Sequence, residues 1–247
     1  MLPFFISLSA AICAILVLRR LAYRCGLVDH PGGRKTHQGH VPLVGGIAIF
    51  LGLLAGLAAT NLAWPQAAAP IGGAAILLLC GVYDDLHDMH YLHKLGWQVT
   101  AATLLVFTAD HGIIHSLGRS FDGSQMLLGA FAIPFSILCV TGYINAVNMM
   151  DGIDGLTGGY ALVSLLWLAA LTPFGGNQEL LVPITALAGA TVGFLAFNFP
   201  HRGHRRKVFL GDAGSMLLGY LLAWFAISQA QQGNIAITPG AVAWILA

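Results

Sequence analysis

The feature that most limits how this chain can fold is a series of apolar runs close to bilayer length. A helix needs about 20 predominantly apolar residues to cross the hydrocarbon core. Eight candidate spans lie at about 2–18, 42–62, 68–83, 95–109, 126–144, 158–174, 180–197 and 214–229, and a ninth begins near Pro239 and stops at Ala247. Only 9% of the 247 residues are charged, against roughly 25% in a soluble domain. The sequence therefore predicts a membrane protein.

These runs predict an all-α polytopic fold with about eight complete transmembrane helices and a truncated ninth. The chain has no internal repeat and no low-complexity linker, so residues 1–247 are expected to form a single integral-membrane domain. Its four cysteines do not have the spacing of metal ligands. The first apolar run has no basic residue before it, which predicts an uncleaved span rather than a signal peptide.

Basic residues divide unevenly between the two sets of alternate loops. The segments 19–41, 84–94, 145–157 and 198–213 hold ten of the eleven lysines and arginines, and the opposite side receives Arg119 alone. Because basic residues concentrate in cytoplasmic loops, this pattern predicts that the four segments face the cytoplasm and the N-terminus faces outward. Seven of the ten acidic residues fall on the same side, where carboxylates are costly unless they face a cavity or a cation.

The first acidic cluster is GVYDDLHDMHYLHK, Gly81–Lys94. Asp84 and Asp88 share one face if the third helix continues past the membrane edge, with Asp85 beside them. Crowded carboxylates raise one another's pKa unless a metal or a basic group compensates. A solvated helix end is one interpretation, and a base or metal site is the other. The second is favoured because another acidic cluster is expected on the same side.

The second cluster is NAVNMMDGIDGLTGG, residues 145–159, in which four polar residues are spaced three apart. They are Asn145, Asn148, Asp151 and Asp154. Such residues drift by about 60° per step on an α-helix, so the four cannot share one face of a regular helix. Gly152 and Gly155 indicate that the helix ends or bends here. Asparagine and aspartate oxygens suit Mg²⁺; a polar helix cap is the alternative.

Two further motifs complete the predicted site. In PHRGHRRKVFLGDAGS, residues 200–215, Asp212 stands at the mouth of the eighth span and is expected to reach a metal. In GLVDHPGGRKTHQGHVPLVGG, residues 26–46, Arg34, Lys35 and His37 precede the second span. Carboxylates for Mg²⁺, basic residues for phosphates and a location at the lipid boundary favour one reaction type. It is transfer of a phosphoryl-linked group from a soluble nucleotide to a lipid.

Taken in order, these four motifs resemble those of the polyprenyl-phosphate N-acetylhexosamine-1-phosphate transferases, from Gly26 to the C-terminus. The closest branch transfers N-acetylglucosamine 1-phosphate to undecaprenyl phosphate. A branch that transfers phospho-MurNAc-pentapeptide stays open, although it typically reads PTMGG where this chain has PLVGG at 42–46. The resemblance implies a bacterial inner-membrane enzyme that uses a UDP-N-acetylhexosamine, undecaprenyl phosphate and Mg²⁺ (or Mn²⁺), and releases UMP at the cytoplasmic face.

The resemblance also implies roles for individual residues. Asn148 and Asp212 are expected to bind the metal, and Asp84 and Asp85 to prepare the lipid phosphate, one of them as a general base. Contacts to substrate are expected from Lys94, Asp151, Asp154, Asn145, Arg34, Lys35, His37 and Asp88. Direct attack by the lipid phosphate is favoured over a covalent aspartyl intermediate. A homodimer stays open, and no nucleic-acid partner is expected.

The chain departs from this family at its C-terminal end. Family members continue into a further cytoplasmic loop that carries arginine and a histidine-rich motif, whereas this sequence stops inside the ninth apolar run. We therefore expect a domain without its C-terminal part, and a fragment of a longer gene product is favoured over a degenerate relative. The rival function is a non-catalytic protein that binds UDP-sugar or lipid phosphate without releasing UMP.

Overall fold

A computed structural model of the chain describes residues 1–30, 39–60, 64–109, 111–120, 124–175, 178–199, 206–231 and 239. The described part contains eight α-helices and two short antiparallel hairpins. The helices are α1 Leu2–Cys25, α2 Gly45–Ala58, α3 Trp64–His87, α4 Tyr91–Thr108, α5 Ala132–Met150, α6 Leu156–Gly175, α7 Leu181–Asn198 and α8 Gly211–Ala230. The hairpins pair β1 Val28–Asp29 with β2 Val41–Pro42, and β3 Ser116–Arg119 with β4 Gln125–Leu127.

Six of the described helices are long and apolar enough to cross a membrane: α1, α3, α5, α6, α7 and α8. This is consistent with the predicted polytopic membrane protein. A helix lies at each of the eight predicted spans, but α2 has 14 residues, a length of about 21 Å, and α4 is not among the six. The exact number of spans and their orientation remain predictions, and the ninth run after Pro239 lies outside the described residues.

The central element of the bundle is α8, which is buried along nearly its whole length. A helix that is apolar on every side is buried by neighbours all round, and α8 packs against α2, α3, α5 and α6. The helices α1, α2 and α7 pack on one another at one side, while α4 packs on α3 and α5 at the other. Because α8 has so many neighbours, residues at its first turn lie where several helix ends meet.

Two details differ from the sequence-based expectations. The predicted span at 126–144 begins on a strand, since β4 covers Gln125–Leu127 and α5 starts at Ala132. Hydropathy cannot separate a short apolar strand from the first turn of a helix, which explains this error. The third helix is longer than the predicted 68–83, and its last turn carries Asp84 and Asp85 beyond that span.

Candidate active site

Polar side chains collect at one end of the bundle, which we call the polar end. There α3 and α5 finish while α4 and α8 begin, so four helix termini come together. Glycines allow this close approach: a Cβ at Gly81 would overlap the Ala213 backbone, and one at Gly46 would overlap Gly214. The first turn of α8 therefore lies directly against α2 and α3. The polar end thus brings together motifs from separate parts of the chain.

The most deeply buried charge at the polar end belongs to an ion-pair cluster that we call the Lys94 centre, comprising Asp84, Lys94, Asn148 and Asp212. The Lys94 ammonium lies 2.7 Å from Asp84 Oδ2 and 2.9 Å from Asp212 Oδ2. Asp84 is only 7% exposed, and its Oδ1 accepts a 2.7 Å hydrogen bond from the Met89 backbone N–H. One lysine thus bridges two carboxylates from α3 and α8.

Asn148 completes the Lys94 centre from the last turn of α5. Its Nδ2 donates to Asp212 Oδ1 and, at 2.8 Å, to Ser215 Oγ. These bonds leave Asn148 Oδ1 as a further acceptor beside the Asp212 carboxylate. The structure therefore brings together Asn148 and Asp212, the two residues predicted to bind a metal.

Asp85 has different hydrogen-bond partners from its neighbour Asp84. Its carboxylate accepts from the backbone N–H groups of Asp212 at 2.9 Å and Ala213 at 3.4 Å. These are unpaired donors of the first turn of α8, so Asp85 caps that helix and its charge favours the positive helix terminus. Gly211 has φ +73°, and a Cβ there would lie 2.5 Å from Asp85 Oδ2. The glycine makes room for this cap.

A second ion-pair cluster, the Lys207 centre, comprises Asp154, Lys207 and Phe209. Lys207 pairs with Asp154 Oδ2 and lies 4.7 Å from the centroid of the Phe209 ring. Asn198, which is 6% exposed, also joins the α5–α6 loop to the segment before α8. Its Oδ1 accepts from Gly155 N at 2.7 Å, and its Nδ2 donates to Val208 O at 3.0 Å. This centre therefore ties the α5–α6 loop to the segment before α8.

The remaining residues of the two acidic motifs take different positions. The prediction that the helix ends near Gly152 is confirmed, because α5 ends at Met150 and Asp151 follows as its cap. Burial, with the nearby Asp212 and Asp154 charges, raises the pKa of the Asp151 carboxyl to about 6. Asn145 lies one turn deeper than Asn148, where its Nδ2 donates to Gln98 Oε1 at 2.6 Å.

The predicted helical register of Asp88 is wrong. Helix α3 ends at His87, and Asp88 is exposed with φ +50° rather than in line with Asp84. Aspartate tolerates this left-handed conformation, in which it turns the chain towards α4. Its predicted contact with substrate stays a prediction. Arg34, Lys35 and His37, the predicted residues of the fourth motif, lie outside the described residues.

Five residues at the polar end were not among the predicted site residues: Lys207, Phe209, Ser215, Gln98 and Asn198. Gln98 and Asn198 are buried amides that join separate elements through hydrogen bonds. Neither belongs to a spaced motif. The sequence does contain one signal for them: each is a lone amide within or next to an apolar helix. Burying such an amide is costly unless it has a hydrogen-bond partner.

The fit of a divalent cation depends on the donor set at the Lys94 centre. Within the described ranges, no group of three or more His, Cys, Asp or Glu side chains could hold a metal ion by itself. Asn148 and Asp212 offer amide and carboxylate oxygens, which are hard ligands. Mg²⁺ is usually bound through one or two carboxylates, with waters and substrate phosphates as its other ligands. The residues therefore fit a cation that shares its coordination with a phosphate.

Comparison with known proteins gives a family and named relatives. Residues 67–230 match the model of glycosyl transferase family 4. The chain is 37% identical over 235 residues to an undecaprenyl-phosphate alpha-N-acetylglucosaminyl 1-phosphate transferase of Yersinia pestis, which covers 94% of this chain and 64% of the relative. An Escherichia coli K12 protein of the same name is 35% identical over 230 residues, 93% of this chain and 62% of the relative.

A third relative has a similar name. The probable undecaprenyl-phosphate N-acetylglucosaminyl 1-phosphate transferase of Bacillus subtilis is 33% identical over 224 residues, which make up 89% of this chain and 60% of the relative. The chain thus spans about three fifths of the length of the curated relatives that it matches. The matched family model begins within α3 and ends at the last residue of α8, so it includes all the residues of both lysine centres.

Proposed function

The chain belongs to glycosyl transferase family 4, and from that premise we propose that it transfers N-acetylglucosamine 1-phosphate from a UDP-sugar to undecaprenyl phosphate. The products are UMP and undecaprenyl-pyrophosphoryl-N-acetylglucosamine. One observation carries the proposal: carboxylates, amides and a lysine from four helices converge at one end of an apolar bundle. The names of the relatives supply the sugar and the lipid.

The proposed orientation has the polar end facing the cytoplasm, in the inner membrane of a bacterium. Both lysine centres lie in segments that the positive-inside pattern assigns to that side. A soluble UDP-sugar then reaches the polar end from the cytoplasm, while the phosphate of the lipid reaches it from the bilayer. A site at the ends of membrane helices suits two substrates that arrive from different phases.

The proposed cofactor is Mg²⁺, with Mn²⁺ as an alternative, held by Asp212 and Asn148. When bound, the ion would neutralise charge on the oxygens of the donor pyrophosphate. The hard oxygen ligands support this assignment. Two protein residues fill only part of the coordination shell of Mg²⁺, which leaves positions for the phosphate oxygens of the donor. Lys94, which lies against Asp212, supplies a second positive charge for the same pyrophosphate.

In the proposed reaction an oxygen of the lipid phosphate attacks the β-phosphorus of the UDP-sugar. The bond between the β-phosphorus and its bridging oxygen breaks, and UMP leaves with that oxygen and its electron pair. The lipid phosphate is already an anion near neutral pH, so no strong base is needed. The contacts of Asp84 with Lys94, and of Asp85 with α8, support direct attack because both carboxylates have positioning partners.

The Lys207 centre is proposed to bind the uridine part of the donor. Asp151 and Asp154 border the same loop, and Lys207 and Phe209 add a cation and an aromatic face. The carboxylates suit the ribose hydroxyls, the Lys207 ammonium suits a phosphate, and the Phe209 ring suits the plane of the base. Asn198 holds the two segments of this centre together.

The test is an assay of the protein expressed from its complete gene and purified in detergent. UDP-N-acetylglucosamine and undecaprenyl phosphate are supplied with Mg²⁺, and UMP is measured by chromatography. We expect UMP release that requires both substrates and stops when EDTA is added. Binding of the UDP-sugar without any release of UMP would instead favour a protein that only binds these ligands. Release without lipid would contradict direct attack.

A further inference from the structure

The first half of α4 is held against the bundle through one narrow face. Between residues 91 and 100, eight residues are exposed, and the two exceptions are Lys94 and Gln98. They are four residues apart, so they lie one above the other on the same side of the helix. The deeper half of α4 has a packed face of its own, which includes Ala101, Ala102 and Leu105. The position of the Lys94 turn therefore depends on few contacts.

Gln98 is fully buried and bonded on both sides of its amide. Its Oε1 accepts a 2.6 Å hydrogen bond from Asn145 Nδ2 on α5, and its Nε2 lies 3.4 Å from Met216 Sδ on α8. The sulfur is a weak acceptor, so the bond to Asn145 is the stronger of the two. An amide in an apolar interior is costly unless it keeps such partners. Gln98 is thus confined to one position between α5 and α8.

These contacts form a second layer beneath the Lys94 centre. The helices α4, α5 and α8 contribute Lys94, Asn148 and Asp212 to the upper layer, and each contributes a residue about one turn deeper. The deeper residues are Gln98, Asn145 and Met216. Four residues of helix rise by about 6 Å, so Gln98 lies one turn below Lys94 along α4. Fixing Gln98 also fixes the rotation of α4 about its axis.

We propose that Gln98 is a positioning residue for Lys94, which it holds between Asp84 and Asp212 by locking α4 to α5. Nothing in the motifs of the sequence assigns a role to this glutamine. The part of the proposal that concerns turnover rests on the proposed transferase activity. The part that concerns the placement of Lys94 does not, and it can be measured on the protein without substrates.

The experiment is trace acetylation of lysines with acetic anhydride, followed by mass spectrometry of the peptides that carry Lys94 and Lys207. Lys207 is an internal reference, because its side chain is 15% exposed and that of Lys94 is 16% exposed. Gln98→Leu removes both hydrogen bonds, and Gln98→Met is a second variant that keeps the unbranched shape. Thr100→Val is the matched control on the exposed face of α4, where the Thr100 hydroxyl bonds only to Gly96 O of its own helix.

We expect labelling of Lys94, relative to Lys207, to rise about fivefold in Gln98→Leu and Gln98→Met. A change of that size corresponds to the net contribution of one hydrogen bond. Thr100→Val should label as the wild type does. An unchanged ratio in both Gln98 variants overturns the proposal. Equal increases at both lysines also overturn it, because Gln98 would then stabilise the bundle at large rather than Lys94.

Kinetics separate this inference from the proposed function. In an active wild type, the Gln98 variants should lower kcat for UMP release by about ten- to a hundredfold, since small misplacements of a reacting group have effects of that size. The KM for undecaprenyl phosphate should change little. If the labelling ratio changes but the wild type itself releases no UMP, the proposed function fails while Gln98 retains its positioning role.

Discussion

The two lysine centres use the same residue types and similar exposure but are built differently. In the Lys94 centre, every member lies on a helix, and the partners of Lys94 are two carboxylates from α3 and α8. In the Lys207 centre, Asp154 lies in the α5–α6 loop and Lys207 and Phe209 precede α8, so the members belong to connecting segments. Within the described part of the chain, the buried amide of Asn198 joins these segments.

This difference suggests a division of labour. Helix ends fixed by packing hold charges at constant separations, which suits phosphates that must meet in line. The α5–α6 loop, which the Asn198 amide and the Lys207–Asp154 ion pair join to the segment before α8, can adjust to a ligand that enters and leaves in each cycle. We therefore assign the proposed chemical step to the Lys94 centre and recognition of the nucleotide to the Lys207 centre.

The largest expected difference between the centres comes from removing one carboxylate charge in each. Asp212→Asn should lower kcat for UMP release about a thousandfold, because it removes a proposed metal ligand and a partner of Lys94. Asp154→Asn should lower kcat/KM about tenfold, mainly through KM for the UDP-sugar. Steady-state kinetics on both purified variants checks this. Equal losses in kcat would contradict the division of labour.

The next difference concerns cation binding without substrates. Lys94→Met should raise the affinity for Mn²⁺ about tenfold, because Asp212 loses the ammonium that neutralises it. Lys207→Met removes an equally exposed lysine from the other centre and should leave the affinity within about twofold of wild type. Loss of the free Mn²⁺ signal in electron paramagnetic resonance gives the dissociation constants. A weaker affinity in Lys94→Met would show that the lysine does not compete with the ion.

Disconnecting the two segments of the Lys207 centre should have a smaller effect. Asn198→Leu removes two buried hydrogen bonds and should raise KM for the UDP-sugar about tenfold while kcat stays within about threefold of wild type. Gln229→Leu is the control, since Gln229 is a buried amide near the opposite end of α8 that bonds Thr172. If both variants change KM alike, the effect of Asn198 is on general stability.

Much of the polar end could be predicted from the sequence, because its charges occur in motifs at the ends of apolar runs. The convergence of Asp84, Lys94, Asn148 and Asp212 agrees with the prediction that their motifs lie on the same side of the helices. The position of Asp88 could not be predicted, since its left-handed backbone ends α3 one residue early. Spacing along a chain assumes that the helix continues, and a single φ angle decides whether it does.

The contacts that hold the two centres depend on tertiary packing, which spacing does not encode. Asp85 precedes Asp212 by 127 residues, yet it caps the helix that carries Asp212. Gln98 and Asn198 are single amides without a motif, and their partners come from other helices and loops. The two hairpins have strands of two to four residues, which are too short for an alternating pattern to identify them.

The smallest predicted effect is a change in how stability depends on pH. The folded-state pKa of Asp151, about 6, exceeds its value of about 3.9 in an unfolded chain. The stabilising contribution of the protonated form is complete below pH ~4 and lost as the pH rises through ~6. Asp151→Asn does not titrate, so without metal it should melt about 2–4 °C above wild type at pH 8. Scanning fluorimetry should show that this difference in melting temperature disappears near pH 4. A difference that stays constant with pH would contradict the raised pKa of Asp151.

Doubly labelled UDP-N-acetylglucosamine shows whether the polar end transfers a sugar together with its phosphate, as we propose. The donor carries ³²P at the β-phosphate and ³H in the sugar, and the lipid product is extracted after incubation with undecaprenyl phosphate. We expect both labels to reach the lipid in the ratio of the donor, with neither in UMP, and Asp212→Asn to transfer neither. Transfer of ³H without ³²P would contradict the proposal, because the bond broken would then be the one between the sugar and its phosphate.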